Sequence, residues 1–281
     1  MTDPTFVFVH GAASNSFTWA PMQRELALRG HRSLAVDLPG HGFGATFPAA
    51  YQAPQDLVGL ATAPSAMAGI GHADNVAHVL DVVKRVREHG PVVLVGHSRG
   101  GLTLTGVGNA APELVDRLVY ISAWCCVNDT PAGYQTSAEN ASSALFGLGG
   151  LIAANPAELG ALRFNWRTAD PELLVTLREA TLADGTDDEF HGYLNTLEPD
   201  ETLDVGEERV DAETWGRIPR TYVRLTADRS IPIALQDRFI ADADALTPGN
   251  RFDVRSLDVS HAKVMVRPGE AAALLASLVR G

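Results

Sequence analysis

The chain has 281 residues, 46% of them hydrophobic and 20% charged, which suits one large α/β domain with an insertion and is too apolar for a disordered protein. Its formal net charge of −12 is unevenly placed, because Asp184 to Glu213 holds twelve acids and one base, Arg209. A phosphate backbone calls for a basic stripe and none is visible, so nucleic acids and anionic membrane surfaces are not expected as partners.

Met1-Thr2-Asp3-Pro4 leads directly into Phe6 to Val9, a short apolar run that is predicted as a strand. No signal-peptide pattern precedes it, and no apolar run approaches the roughly 18 residues of a membrane span, so a cytoplasmic protein is expected. A helix over Ala20 to Arg29, stopped by Gly30, and a strand over Ser33 to Val36 follow. Ala45 to Gly71, rich in Ala, Pro and Gly, then delays the next helix, and its length suggests a role near a binding face. Beyond it come a helix over Asn75 to His89, a strand over Val92 to Val95, a helix over Gly101 to Ala110 and a strand over Leu118 to Ser122. From Cys125 to Gly216 the alternation lapses, leaving helical patterns at Pro156 to Asn165 and Pro171 to Leu182 and the acidic stretch, which reads as a solvated outer face. The rhythm resumes with strands over Tyr222 to Leu225 and Phe252 to Leu257 and a helix over Glu270 to Val279.

Strands this continuously apolar are buried on both faces, as in a parallel sheet covered by helices. The expected fold is therefore α/β: a mostly parallel, doubly wound sheet built from residues 1–124 and 217–281, with a mainly helical cap inserted at 125–216. The only cysteines, Cys125 and Cys126, are neighbours and are expected as free thiols.

The chemistry concentrates in Val92-Val93-Leu94-Val95-Gly96-His97-Ser98-Arg99-Gly100-Gly101, an apolar strand that enters a helix through G-x-S-x-G. Such a turn presents Ser98 at the carboxyl edge of the sheet. A serine hydroxyl is a weak nucleophile at neutral pH and needs a base, itself oriented by a third group. Asp228 and His261 each follow a predicted strand, and the order Ser, Asp, His along the chain is the one associated with this turn. An oxyanion hole would take the N–H of Arg99 and that of Ala12, in Val9-His10-Gly11-Ala12-Ala13, with His10 bracing that loop.

Arg99 carries a cation at a helix amino terminus, where the dipole disfavours it, so its side chain calls for a partner: a substrate carboxylate, phenolate or carbonyl, or an acid of the cap or scaffold. Trp124 and Cys125 follow a strand end and should border the pocket, with Phe146, Leu148, Leu151, Phe164 and Trp166 above it. Cys125 has no second base and is not expected as a nucleophile. The nine histidines lack metal-ligand spacing, and Gly106-Val107-Gly108 lies inside a helix, so neither metal nor cofactor is expected.

With His10-Gly11-Ala12, Asp37-Leu38-Pro39-Gly40-His41-Gly42, the Ser98 turn and the Asp228 and His261 segments, the whole chain resembles the α/β-hydrolase superfamily. The start Val9-His10-Gly11-Ala12, the Ile231-Pro232 pair after Asp228 and the run after His261 are most similar to its methyl-esterase and hydroxynitrile-lyase group. The resemblance implies a serine esterase or lactonase that cleaves a small to medium apolar or aryl substrate through an acyl-enzyme, as a monomer or homodimer. Hydroxynitrile lyases carry threonine at the position of Gly11 and lysine directly after the histidine, where this chain has Ala262, which argues against cyanide release. A non-covalent lyase or cofactor-free oxygenase, using His261 and Asp228 on the same fold, is the second reading.

Overall fold

Burying both faces of a strand demands neighbours on either side and helices above and below, and the chain meets that demand with one six-stranded parallel sheet. The computed structural model describes residues 3–279. In chain order the elements are β1 (Thr5–Val9), α1 (Ala20–Leu28), β2 (Arg32–Val36), α2 (Leu57–Thr62), α3 (His72–Arg87), β3 (Val92–Ser98), α4 (Gly100–Ala110) and β4 (Arg117–Ala123). An insertion follows, with α5 (Pro131–Gln135), α6 (Pro156–Leu159), β5 (Leu162–Arg163), α7 (Pro171–Thr181), α8 (Asp187–Leu194) and β6 (Asp200–Glu201). The sheet resumes with β7 (Arg220–Leu225), α9 (Ile233–Leu246), β8 (Asp253–Leu257), α10 (Lys263–Val266) and α11 (Gly269–Ser277). Among the described residues no helix is long and apolar enough to cross a membrane.

The strand order is β2-β1-β3-β4-β7-β8, so the chain winds outward from β1 and β3 in both directions. Alternation along the central strands divides the core. Val7, Val9 and Leu94 pack with Val79, Leu104 and Phe239, while Phe6, Phe8 and Val95 pack with Met22, Leu26 and Leu275 on the opposite face. Only the edge strands β2 and β8 leave several side chains exposed.

Three expectations are corrected within or beside the insertion. The helix expected over Pro156 to Asn165 ends at Leu159, because Gly160 adopts φ 72° and turns the chain into β5, which pairs antiparallel with β6. The acidic stretch is not wholly a solvated face: Glu198, Asp200 and Glu201 are 2%, 2% and 3% exposed. Ala45 to Gly71 contributes nothing to the wall of the large cavity described below; it grips the insertion instead. Its carbonyls of Leu60, Ala63 and Pro64 accept from the buried Arg163 guanidinium, and Gln55 pairs with Asn165.

Buried carboxylates are tolerated only when paired and hydrogen-bonded. Asp200 takes both arms of Arg163, at 2.6 Å each. Glu198 accepts from Asn15 Nδ2 at 2.7 Å, from the Gly42 N–H at 2.8 Å and from His41 Nδ1 at 2.8 Å, fastening the insertion to two loops of the sheet domain. Burial alone would lower the pKa of His41, but the hydrogen bonds and charges of Glu198 and Glu201 raise it to about 9.

Asp200→Asn leaves the fully buried Arg163 cation unpaired and should cost about 3–5 kcal/mol in denaturant unfolding, whereas the exposed Asp188→Asn should stay within about 0.5 kcal/mol of wild type. Because His41 titrates higher in the folded chain, its stabilisation is complete below its ordinary pKa of 6.5 and disappears as pH rises through about 9. Melting curves of wild type and His41→Gln should accordingly lie furthest apart at pH 6, by ~1–3 kcal/mol, and converge towards pH 9.5. A separation that does not change with pH would contradict a charged His41.

Candidate active site

The site lies at the carboxyl edge of the sheet, where β3 passes into α4 with only Arg99 between them. Ser98 sits at φ 54°, a left-handed backbone that a non-glycine residue adopts at a cost. The turn is this tight because α4 rests on the end of β1: a Cβ on Gly100 would lie 2.7 Å from the carbonyl oxygens of Val9 and His10. A Cβ on Gly11 would lie 2.9 Å from Ser98 Cβ, so the loop after β1 also lies against the serine.

Asp228 follows β7 and its carboxylate is fully engaged. Oδ1 accepts from the N–H groups of Ser230 and Ile231 at 2.7 and 3.0 Å, and Oδ2 accepts from Ser122 Oγ and His261 Nδ1, each at 2.6 Å. Four donors hold the carboxylate in one orientation. With Nδ1 donating, the neutral His261 ring keeps its lone pair on Nε2. Ser98 and His261 line the same cavity, without a hydrogen bond between them among the described residues. Such contacts are often long before substrate binds.

Two neighbours of the Asp228 and His261 side chains escaped sequence reasoning. Ser122, at the end of β4 with φ 37°, shares Oδ2 of Asp228 with His261. Its position at a strand's carboxyl end was the available signal. His97, just before Ser98, sets its ring against that of His261, with centroids 4.2 Å apart and planes tilted by 46°, and donates from Nε2 to the His261 carbonyl at 3.1 Å. Burial first, and then the adjacent His261, hold its pKa well below the usual value, so His97 stays neutral.

The N–H groups of Ala12 and Arg99 find no acceptor among the described residues, and both residues line the cavity. The loop that carries Ala12 is braced from behind. His10 donates from Nδ1 to the Gly11 carbonyl at 2.9 Å and accepts from the Leu38 N–H at Nε2, 3.1 Å away. Burial, reinforced by the His41 cation, drives the pKa of His10 down to about 3, which keeps it the neutral ring this double role needs. The Arg99 guanidinium resolves its two expected partners in favour of the protein: it donates to the carbonyls of Thr202 and Asp204 at 2.9 and 2.6 Å and stands 3.5 Å from Glu201 Oε1.

The cavity measures about 610 Å³. Trp124 lines it, together with Phe146, Leu148, Leu151, Phe164 and Trp166. Cys125 does not. Its side chain turns away from Trp124 into the sheet core beside Tyr120, and burial pushes its thiol up to about 12, far from a thiolate. Of the residues at the wall only Arg99 carries a permanent charge, and that charge faces Glu201.

The profile described as the alpha/beta hydrolase family matches residues 6–274. Among curated proteins, an esterase of Mycobacterium tuberculosis is 32% identical over 136 residues, 48% of this chain and 36% of its own length. Methylesterase 18 of Arabidopsis thaliana is 27% identical over 123 residues, 44% of this chain and 40% of its own. The chain spans less than half the length of these relatives. Among solved structures, a pyrethroid hydrolase from Sphingobium faniae superposes with a TM-score of 0.72 at 23% identity, over 99% of this chain and 98% of its own. Polyneuridine aldehyde esterase superposes with a TM-score of 0.70 at 19% identity, over 99% of each chain. From the arrangement around Ser98 to the sheet that carries it, this chain belongs to the alpha/beta hydrolase family, in which it is similar to the methylesterases.

Proposed function

We propose that the protein is a serine hydrolase that cleaves a carboxylic ester or lactone of small to medium size, apolar or aryl in character, through an acyl-enzyme. The observation that carries this reading is the convergence on one largely apolar cavity of a left-handed Ser98, the His261–Asp228 pair at 2.6 Å and two backbone N–H groups without an acceptor among the described residues. Ser98 Oγ attacks the carbonyl carbon while His261 Nε2 takes its proton. The N–H groups of Ala12 and Arg99 stabilise the oxygen that gains charge, each worth on the order of 10² to 10³ in rate. Collapse of the tetrahedral species breaks the ester bond, and His261 returns the proton to the departing alcohol. Water, deprotonated by the same imidazole, then releases the acid and restores Ser98.

The wall supports this substrate class. A cavity of about 610 Å³ matches a ligand of drug-like size, and aliphatic and aromatic side chains offer a carboxylate or ammonium group no counter-ion there. The insertion acts as a cap over this pocket. The two buried free thiols fit a reducing compartment, so a cytoplasmic location belongs to the same proposal.

Rapid mixing with p-nitrophenyl acetate should give a burst of phenolate stoichiometric with enzyme, followed by steady turnover. Ser98→Ala should lose both while keeping the wild-type melting temperature, and Asp228→Asn should lower kcat by about 10³- to 10⁴-fold. Turnover that persists in folded Ser98→Ala, with no acyl adduct in the mass of the wild type, would exclude the acyl-enzyme.

A further inference from the structure

Both oxyanion donors proposed above belong to segments tied to one side chain of the insertion, Glu201. Its Oε2 accepts from the N–H of Ala13, the residue after Ala12, at 2.8 Å. Its Oε1 accepts from the Thr202 N–H at 2.8 Å and faces the Arg99 guanidinium at 3.5 Å and His41 Nε2 at 3.7 Å. The Ala13 carbonyl in turn accepts from the Glu198 N–H at 2.9 Å, so both backbone polar groups of Ala13 are held by the insertion. Ala13 needs such support: it stands at φ 51°, a left-handed conformation that is unfavourable for a residue bearing a side chain.

We infer that Glu201 is a positioning residue that sets the separation and direction of the Ala12 and Arg99 N–H groups, making the insertion a structural part of the oxyanion hole as well as the roof of the pocket. A solvated surface acid could not do this. Glu201 is 3% exposed and lies on β6, whose neighbouring Asp200 is locked to Arg163, so the carboxylate has little freedom to follow either partner. Its two oxygens face different partners: one fixes the loop after β1 and the other fixes the first residue beyond β3. A neutral amide would serve the Ala13 N–H but would leave the Arg99 cation without its facing charge.

This inference rests on Ser98 acting as nucleophile with Ala12 and Arg99 as donors, and the test separates the two. Glu201→Ala, Glu201→Gln and the exposed control Glu213→Gln would be compared with wild type for kcat and KM on p-nitrophenyl butyrate, and for inhibition by an aryl trifluoromethyl ketone, whose serine adduct carries the oxyanion. Glu201→Ala should lower kcat by about 10²-fold with KM changed less than about threefold, and should weaken the ketone in proportion to kcat/KM. Glu201→Gln, which retains an acceptor for Ala13, should recover part of this and stand about tenfold below wild type, while Glu213→Gln matches it. If Glu201→Ala does not fold, Glu201→Gln decides. Wild-type kcat in folded Glu201→Gln, or ketone inhibition that does not move with kcat/KM, overturns the inference alone. A wild type without Ser98-dependent turnover overturns the acyl-enzyme reading and this inference with it.

Discussion

The constraint on which the rest depends is the passage from β3 to α4 in a single residue. A strand buried on both faces must hand its chain to a helix packed against the neighbouring strand, and Gly100 lets that helix approach to backbone contact with Val9 and His10. Ser98 is forced into a left-handed conformation as a result, and its side chain is delivered to the sheet's carboxyl edge. Parallel strands bring their carboxyl ends to the same edge, so the turns after β7 and β8 bring Asp228 and His261 to Ser98 without further design. The turn also leaves the Arg99 N–H without an acceptor among the described residues, because it precedes the first hydrogen-bonded turn of the helix.

Around this edge the polar groups are arranged so that charge is fixed rather than mobile. Asp228 is held by four donors, and His97 and His10 are kept neutral by burial. Glu201, which burial alone would raise, is held at about 2 by Arg99 and by its contacts with His41 and Ala13. Opposite charges therefore alternate from Arg99 through Glu201 and His41 to Glu198, across the joint between sheet and insertion. Such a chain is costly to desolvate and is stabilising only when complete, which favours one docking of the insertion over slightly shifted ones. The apolar cavity lies on the other side of the same loop, and on the proposed reading a neutral substrate would meet the free N–H groups without competing charges.

What could be read in the sequence was local. The strand-to-helix turn around Ser98, the two carboxyl-end segments bearing Asp228 and His261, and the glycine-rich loop ahead of Ala12 each depend on contiguous residues and on the period of burial, and a parallel α/β sheet then brings those ends together. The central strands were legible because both their faces are apolar. Within the insertion the helix starting at Pro171 was legible and is α7, but β5 was not, since it is held by contacts far apart in the chain: Arg163 meets Asp200, thirty-seven residues on. Composition likewise gave no hint that Cys125 would turn into the core while Trp124 turned into the cavity.

The acidic stretch shows where sequence reasoning ends. Twelve acids in thirty residues resemble a solvated face, and most of a carboxylate's behaviour favours that reading. Three of the twelve are instead buried, because Arg163, Arg99, His41, Asn15 and backbone N–H groups drawn from distant segments converge on them. Sequence by itself determined the fold class and pointed to the side chains that the proposed reading treats as reacting, through local backbone propensity and hydrophobic period. Only the tertiary structure decided which charges were buried, what Arg99 faced and how the pocket was walled, since a charge's state depends on the partners that folding gathers around it.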